Sequence, residues 1–278
     1  MEQGTGIAQI ITSIMILFIV FVVGYFVQIF MTLTSNSSIR FRTLMNYTAN
    51  TDDETITIHQ DASKYPDAFP IGMSINERTG IEFAYSFFLY VNAKTFTGEQ
   101  SIKHVFHKGY ATPWPLMGPG VFMLGNTNTM RVFMNTYSDP YAHVDITNIP
   151  VQKWFHVVLN CYKSGLDVYV NGTLANRISF SGAVPYQNYQ DIIVFSNLVM
   201  NNLHGPLIAA LPSDAPTING PISGQISSLA YARYALSLSE IRKIQSAGRS
   251  TKTRAVSSVN DSYLSDDWWA NQNMPTIR

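Results

Sequence analysis

Leu166-Asp167-Val168-Tyr169-Val170-Asn171-Gly172-Thr173-Leu174-Ala175 is the stretch on which the fold turns. Leu166, Val168 and Val170 alternate with Asp167 and Tyr169, a period of two that gives each face of a strand its own side chains. Asn171-Gly172 then supplies two residues that tolerate positive φ, and Thr173-Leu174-Ala175 begins a return strand. Asn-Gly between alternating runs is the strongest short-range hairpin signal, because its backbone twist matches that of the flanking strands.

Similar runs recur on both sides of this hairpin. Residues 55–59 alternate Thr and Ile, 81–91 are aromatic and β-prone, and 102–106, 121–124, 130–134 and 154–162 follow between Gly, Pro and Asn clusters. Beyond the hairpin come 174–180, 192–195 and 223–234. Many short strands without intervening helices predict an antiparallel sandwich or barrel. In 154–162, Trp154, His156 and Val158 share one face while Phe155, Val157 and Leu159 share the other, so both faces are substantial, as in an inner strand of a sandwich. One short helix is expected near the C-terminus. Ser237 or Ser239 caps it, Glu240 lies in its first turn, Arg242 and Lys243 lie toward its end, and Gly248 stops it, with Leu238, Ile241 and Ile244 as its apolar stripe. Residues 198–221 hold Leu203, Leu207, Ile208 and Leu211 among four prolines. They read as a loop unable to form a central strand, folded over its own sheet or offered to a partner.

The N-terminus obeys different rules. From residue 7 to 33 nothing carries a charge, and Ile7, Ile14, Phe18, Val22, Phe26, Phe30 and Leu33 mark an apolar run long enough to cross a bilayer core of roughly 30 Å. A secretory signal has a basic start and an apolar stretch of about 7–15 residues, whereas Met1-Glu2-Gln3-Gly4 lacks Lys and Arg and this stretch is longer. A core helix is rarely apolar on every face for so long. A single-pass transmembrane helix is the expectation. Arg40 and Arg42 follow the span, which by the positive-inside rule puts the C-terminal part in the cytosol. Sequons at Asn36, Asn46, Asn171 and Asn260 point to a lumen instead.

The chain therefore divides into an anchor (1–33), a polar stalk (34–54), a β-sandwich (55–248) and an extended tail (249–278) that carries Tyr263, Trp268 and Trp269. Those rings need a surface to cover. With Leu207 and Ile208 they are the candidate partner contacts. Charged residues make up only 13% and balance at 18 of each sign, so no global field recruits nucleic acid. The single cysteine, Cys161, excludes an intrachain disulfide and reads as a small buried hydrophobe.

An ordered series over residues 80–248 resembles the laminin-G-like, concanavalin A-like jelly-roll superfamily. Phe83-Ala84-Tyr85-Ser86-Phe87-Phe88-Leu89-Tyr90-Val91 stands where that family has its first long core strand. Val105-Phe106-His107-Lys108-Gly109, Trp154-Phe155-His156-Val157-Val158 and the Asn171-Gly172 hairpin follow in the family's order. Gly224-Gln225-Ile226, Tyr231, Ala235-Leu236-Ser237 and Glu240-Ile241 resemble its closing strand and helix. The acidic residue usual after Gly-x-Ile is replaced by Ser227-Ser228. The resemblance implies an all-β, antiparallel jelly-roll sandwich. The whole chain looks like membrane-anchored minor capsid proteins of large icosahedral DNA viruses. That likeness implies a virion inner membrane, with the C-terminal domain facing the capsid shell and capsid or other assembly proteins as partners beside the bilayer.

No enzyme is expected. The glucanase branch of that superfamily needs Glu-x-Asp-x-Glu on one strand, to put acid and nucleophile on either side of the scissile bond, and no such triplet occurs. His104 and His107 are three apart on one strand and should face opposite ways. His156 reads as packed. No cofactor is expected; calcium, bound by oxygen ligands, has Asp139, Asp145 and Asp167 as its candidates. Carbohydrate could stack on Tyr110 and Trp114. The expected function is a non-enzymatic structural protein tying a bilayer to a protein assembly; the alternative is a lectin-like surface adhesin.

Overall fold

The structure is a computed structural model that describes residues 3–74, 81–112, 116–200 and 217–254. It comprises two units, Met1–Arg42 and Thr43–Arg278.

The first is α1 (Gln3–Arg40), a helix of 38 residues, about 57 Å long at 1.5 Å per residue. Its window Ile11–Phe30 is apolar enough to span a membrane, and none of it is buried. Ile14, Phe18, Phe26 and Phe30 are exposed and Val22 is half-buried. Ile7 and Leu33 also lie on the helix, with side chains outside the described set. In water so much bare apolar surface is unfavourable; in a bilayer the lipid tails cover it.

After α1 come β1 (Phe41–Thr43), β2 (Thr48–Asn50), β3 (Ile56–Ile58), β4 (Phe83–Val91), β5 (Ser101–Gly109), β6 (Met117–Leu124), β7 (Thr129–Phe133) and β8 (His143–Thr147). Then follow β9 (Trp154–Tyr162), β10 (Gly165–Val170), β11 (Thr173–Ser179), β12 (Ile192–Val194), β13 (Val199–Met200), β14 (Thr217–Pro221), β15 (Gly224–Ala232) and α2 (Leu238–Ala247). They make two sheets, and the chain is the expected β-sandwich. One sheet has the order β1-β15-β4-β9-β10-β11 with β2 also on β15; the other runs β13-β14-β5-β6-β7-β8, with β12 between β3 and β5. The strand pairings whose register is described are antiparallel except that β14 lies parallel to β5, and an isolated parallel bridge joins Thr48 to Thr253.

The opening hairpin forms as read. Val170 pairs with Thr173 around Asn171 (φ 50°) and Gly172 (φ 75°). Between the sheets, β4 turns Phe83, Tyr85, Phe87 and Leu89 into the main core, and Phe87 meets Phe106 of β5 edge-on at 5.1 Å. Each such side chain contributes about 1.5–3 kcal/mol by leaving water. The opposite face of β9 is also closed. Asn160 on that face exchanges two hydrogen bonds with the backbone of Leu236, just ahead of α2, and is fully buried with Val158. Ser237 and Glu240 form a reciprocal capping box, and Gly248 ends α2 at φ 76°. Ile241 is buried, but Leu238 is 52% exposed, so the expected stripe is narrower than read.

Two expectations need correction. Residues 34–54 are not a featureless polar stalk: α1 runs to Arg40, and β1 and β2 follow. Their polarity is that of a sheet edge stitched by hydroxyls. Thr48 Oγ1 donates to Ser227 Oγ (2.9 Å), Thr51 Oγ1 donates to the Gly224 carbonyl, and the Ser250 amide donates to both Ser227 and Ser228. The Ser227-Ser228 departure thus fastens β2 and the chain at Ser250 to β15. Secondly, the span read as a loop contains β13 and β14; Ile218 is fully buried beside β5, and Pro221 sits at the end of β14, past a register shift. Leu207, Ile208, Tyr263, Trp268 and Trp269 lie outside the described residues.

Candidate functional site

β5 decides how the chemically interesting side chains are arranged. Its register against β6 shifts between His104 and Phe106 and again between His107 and Gly109. A bulge adds a residue without a partner and breaks the alternation of faces. The expectation that His104 and His107 face opposite ways is therefore wrong. Their rings meet, Nε2 of His104 lying 2.7 Å from Nδ1 of His107.

The proton positions follow from the neighbours. The Ser196 amide donates to Nδ1 of His104 (2.9 Å), so that nitrogen is an acceptor and the proton sits on Nε2. Nε2–H donates to His107 Nδ1, and His107 Nε2–H donates to the Tyr110 carbonyl (2.7 Å). Burial, with the neighbouring His107 second, pushes His104 well below its ordinary value. Burial brings His107 to about 4 against the opposing bond to Tyr110. Both rings are neutral at pH 7, and all four nitrogens are committed, leaving no lone pair for a metal.

One strand end away, residues 59–71 fold into a braced loop. His59 Nδ1 lies 2.8 Å from Asp191 Oδ2, and the Gln60 amide donates to Oδ1 of the same carboxylate. The Phe69 amide returns to the His59 carbonyl (2.7 Å), and the Ile71 amide donates to Gln60 Oε1. Asp61 accepts the amide and hydroxyl of Ser63, which hold its carboxyl below the usual range, and the Tyr65 amide donates to the Asp61 carbonyl. The product is a flat stack: the rings of His59 and Tyr65 lie 3.6 Å apart and 5° from parallel.

Beside the stack is a cleft of about 460 Å³ lined by Lys64, Tyr65, Lys108, Tyr189, Gln190 and Asp191, among others. Lys108 is buried, donates to the Gln190 carbonyl (2.5 Å), and has its pKa lowered by burial to about 8, with Asp191 opposing. Tyr65 and Tyr189 are 40% and 75% exposed.

Other sequence-predicted groups are engaged separately. Asp145 makes a two-pronged pair with Arg131 (2.7 Å to each oxygen), Asp139 caps its own turn by accepting the Tyr141 amide, and Asp167 is buried beside Arg177. The calcium candidates do not converge, and among the described residues no three or more His, Cys, Asp or Glu are grouped so that they could hold a metal ion. His156 is packed as expected: Nε2 lies 2.8 Å from Ser86 Oγ, its ring lies against Phe88, and burial lowers its pKa to about 4. Cys161 is fully buried, which raises its thiol pKa well above the ordinary value. Tyr110 is exposed, while Trp114 falls outside the described residues. The braced cleft itself escapes sequence reading, because its parts come from residues 59–71, 108 and 189–191 with no local motif joining them.

No protein-family model and no curated protein sequence matches the chain. Among solved structures, the receptor binding domain of botulinum neurotoxin mosaic serotype C/D is 9% identical, with a TM-score of 0.49, covering 75% of this chain and 45% of that one. The binding domain of Paraclostridial Mosquitocidal Protein 1 is 13% identical, with a TM-score of 0.47, covering 71% and 42%. Trypanosoma rangeli sialidase is 16% identical, with a TM-score of 0.38, covering 59% and 22%. This chain spans less than half the length of each. The likeness concerns the fold alone.

Proposed function

We propose that the protein is a non-enzymatic, membrane-anchored structural protein that ties a bilayer to a protein assembly, and in its finer form a minor capsid protein whose sandwich faces the shell. The observation that carries this reading is the helix window Ile11–Phe30, apolar enough to cross a membrane and with none of its residues buried. Support for a non-catalytic sandwich comes from how its titratable core groups are used. His104, His107 and His156 are held neutral by burial, and Cys161 is kept as a thiol. Each of them packs or bonds within the fold. Arg42, just past the span, supports a cytosolic sandwich by the positive-inside rule.

Sequon occupancy and cross-linking on the intact assembly test the reading together. The account expects Asn171, exposed at its hairpin, to be unglycosylated, with lysines of the sandwich cross-linked to a shell protein. A glycan on Asn171 would place the domain in a lumen and overturn the capsid form. Cross-links confined to copies of the chain itself would remove the linking role.

A further inference from the structure

We propose that Lys108 captures a small aromatic aldehyde as an imine in the cleft beside residues 59–71. The proposal concerns the second unit alone and does not depend on the membrane reading.

The first argument is where the amine sits. Lys108 lies near the end of β5, is buried, and forms part of the wall of the cleft of about 460 Å³. Among the described residues its Nζ has one hydrogen-bond partner, the neutral carbonyl of Gln190, a residue of the same wall. The neighbouring carboxylate is engaged elsewhere. Asp191 Oδ2 lies 2.8 Å from His59 Nδ1, and Oδ1 accepts the Gln60 amide. The ion pairs of the described residues do not include Lys108. A buried ammonium with no carboxylate on it is poorly solvated, so burial favours the free base and lowers its pKa to about 8. At pH 7.5 roughly a quarter of such amines are free base, against about one in a thousand at the ordinary 10.5. Desolvated lysines of this kind are the ones that add to carbonyl groups.

The second argument is the walls. Tyr65 and Tyr189 flank the space and are 40% and 75% exposed, and Tyr65 is held flat on His59 at 3.6 Å. A planar aromatic ring stacks on such faces, which selects an aryl group on the electrophile. Lys64 is paired with Asp61 at 3.4 Å, so the mouth offers no free charge to draw in an ion. The third argument is the reaction. Free-base Nζ forms a bond to the carbonyl carbon, and the carbonyl π pair passes to oxygen. Both Nζ protons then leave with that oxygen as water, and the nitrogen pair closes the C=N bond. Water is the sole by-product, which suits an enclosed amine; acyl transfer would have to carry a leaving group out past the walls.

The test uses the full chain in phosphatidylcholine nanodiscs, treated with benzaldehyde or acetaldehyde and sodium cyanoborohydride, which fixes an imine as a secondary amine. N-acetyl-lysine amide in the same mixture is the reference amine, and peptide mass spectrometry maps the label. At pH 7.5 benzaldehyde should label Lys108 at least tenfold faster than the reference. That excess should fall about fourfold between pH 6.5 and 8.5, because the reference gains free base faster than Lys108 does over that interval. Acetaldehyde, which has no ring to stack, should show a smaller excess. Tyr189→Ala, a change at an exposed side chain, should slow benzaldehyde labelling of Lys108 threefold or more and leave acetaldehyde labelling unchanged. Labelling no faster than the reference, an excess that does not change with pH, equal excess for the two aldehydes, or parental benzaldehyde labelling in Tyr189→Ala overturns the proposal. None of these outcomes bears on whether α1 anchors the chain.

Discussion

The buried imidazole of His156 makes the sandwich acid-sensitive by an amount that can be worked out. In the folded state burial lowers its pKa from 6.5 to about 4; unfolded, it reverts to its ordinary value. Above pH 6.5 neither state binds the proton, and the stability is whole. As pH falls from 6.5 toward 4 only the unfolded state takes it up, so stability is lost across that window. The shift of 2.5 units between those values corresponds to ~3.4 kcal/mol in full, of which ~2.5 kcal/mol is gone at pH 4.5. Between pH 6 and 5 the loss is ~1.2 kcal/mol per unit. His104 and His107 are displaced in the same direction and steepen the slope. Urea unfolding of the full chain in nanodiscs, followed by circular dichroism from pH 7.5 to 4.5, reads this directly. The variant His156→Gln lowers stability at every pH, yet its slope between pH 6 and 5 should fall by close to one proton. A slope identical to that of the parent would refute the reasoning, whatever the variant's absolute stability.

Three further outcomes are expected. Ser237→Ala removes half of the capping box on α2 and should cost about 0.5–2 kcal/mol by urea unfolding without changing the dependence on denaturant. Gly172→Val puts a β-branched side chain at φ 75°, with its Cβ 2.6 Å from Gln245 Oε1. It should destabilise by about 1–2 kcal/mol or more, with a lowered urea midpoint. Cys161 should resist a thiol-specific reagent at pH 8 in the folded protein and react fully in 8 M urea, because burial keeps it as the thiol; rapid modification without urea would contradict its placement.

What could be read from the sequence is what local physics decides. The Asn171-Gly172 turn needs positive φ at two successive residues, and few other pairs supply it, so its hairpin was legible. The Ser237–Glu240 capping box is likewise a property of four consecutive residues. β13 has only two residues, so nothing local marks it as a strand, whereas β8 alternates inward Val144 and Ile146 with exposed His143 and Thr147 and pairs with the preceding β7, a period-two signal present in the sequence. The His104–His107 contact was misread because period-two reasoning assumes an unbroken ladder, and β5 carries two register shifts. The cleft was invisible for a different reason. Its stack depends on Asp191, which is 132 residues from His59 along the chain, and no spacing rule joins residues so far apart.

The proposed anchoring role requires α1 to stay in the mature protein and to hold it in a bilayer. The most direct test is the intact mass of the protein that remains in the membrane fraction after an alkaline carbonate wash. The account predicts retention in the pellet of a species that still carries the apolar segment 11–30. Release into the supernatant, or a retained species shortened by the apolar N-terminal segment, would contradict it.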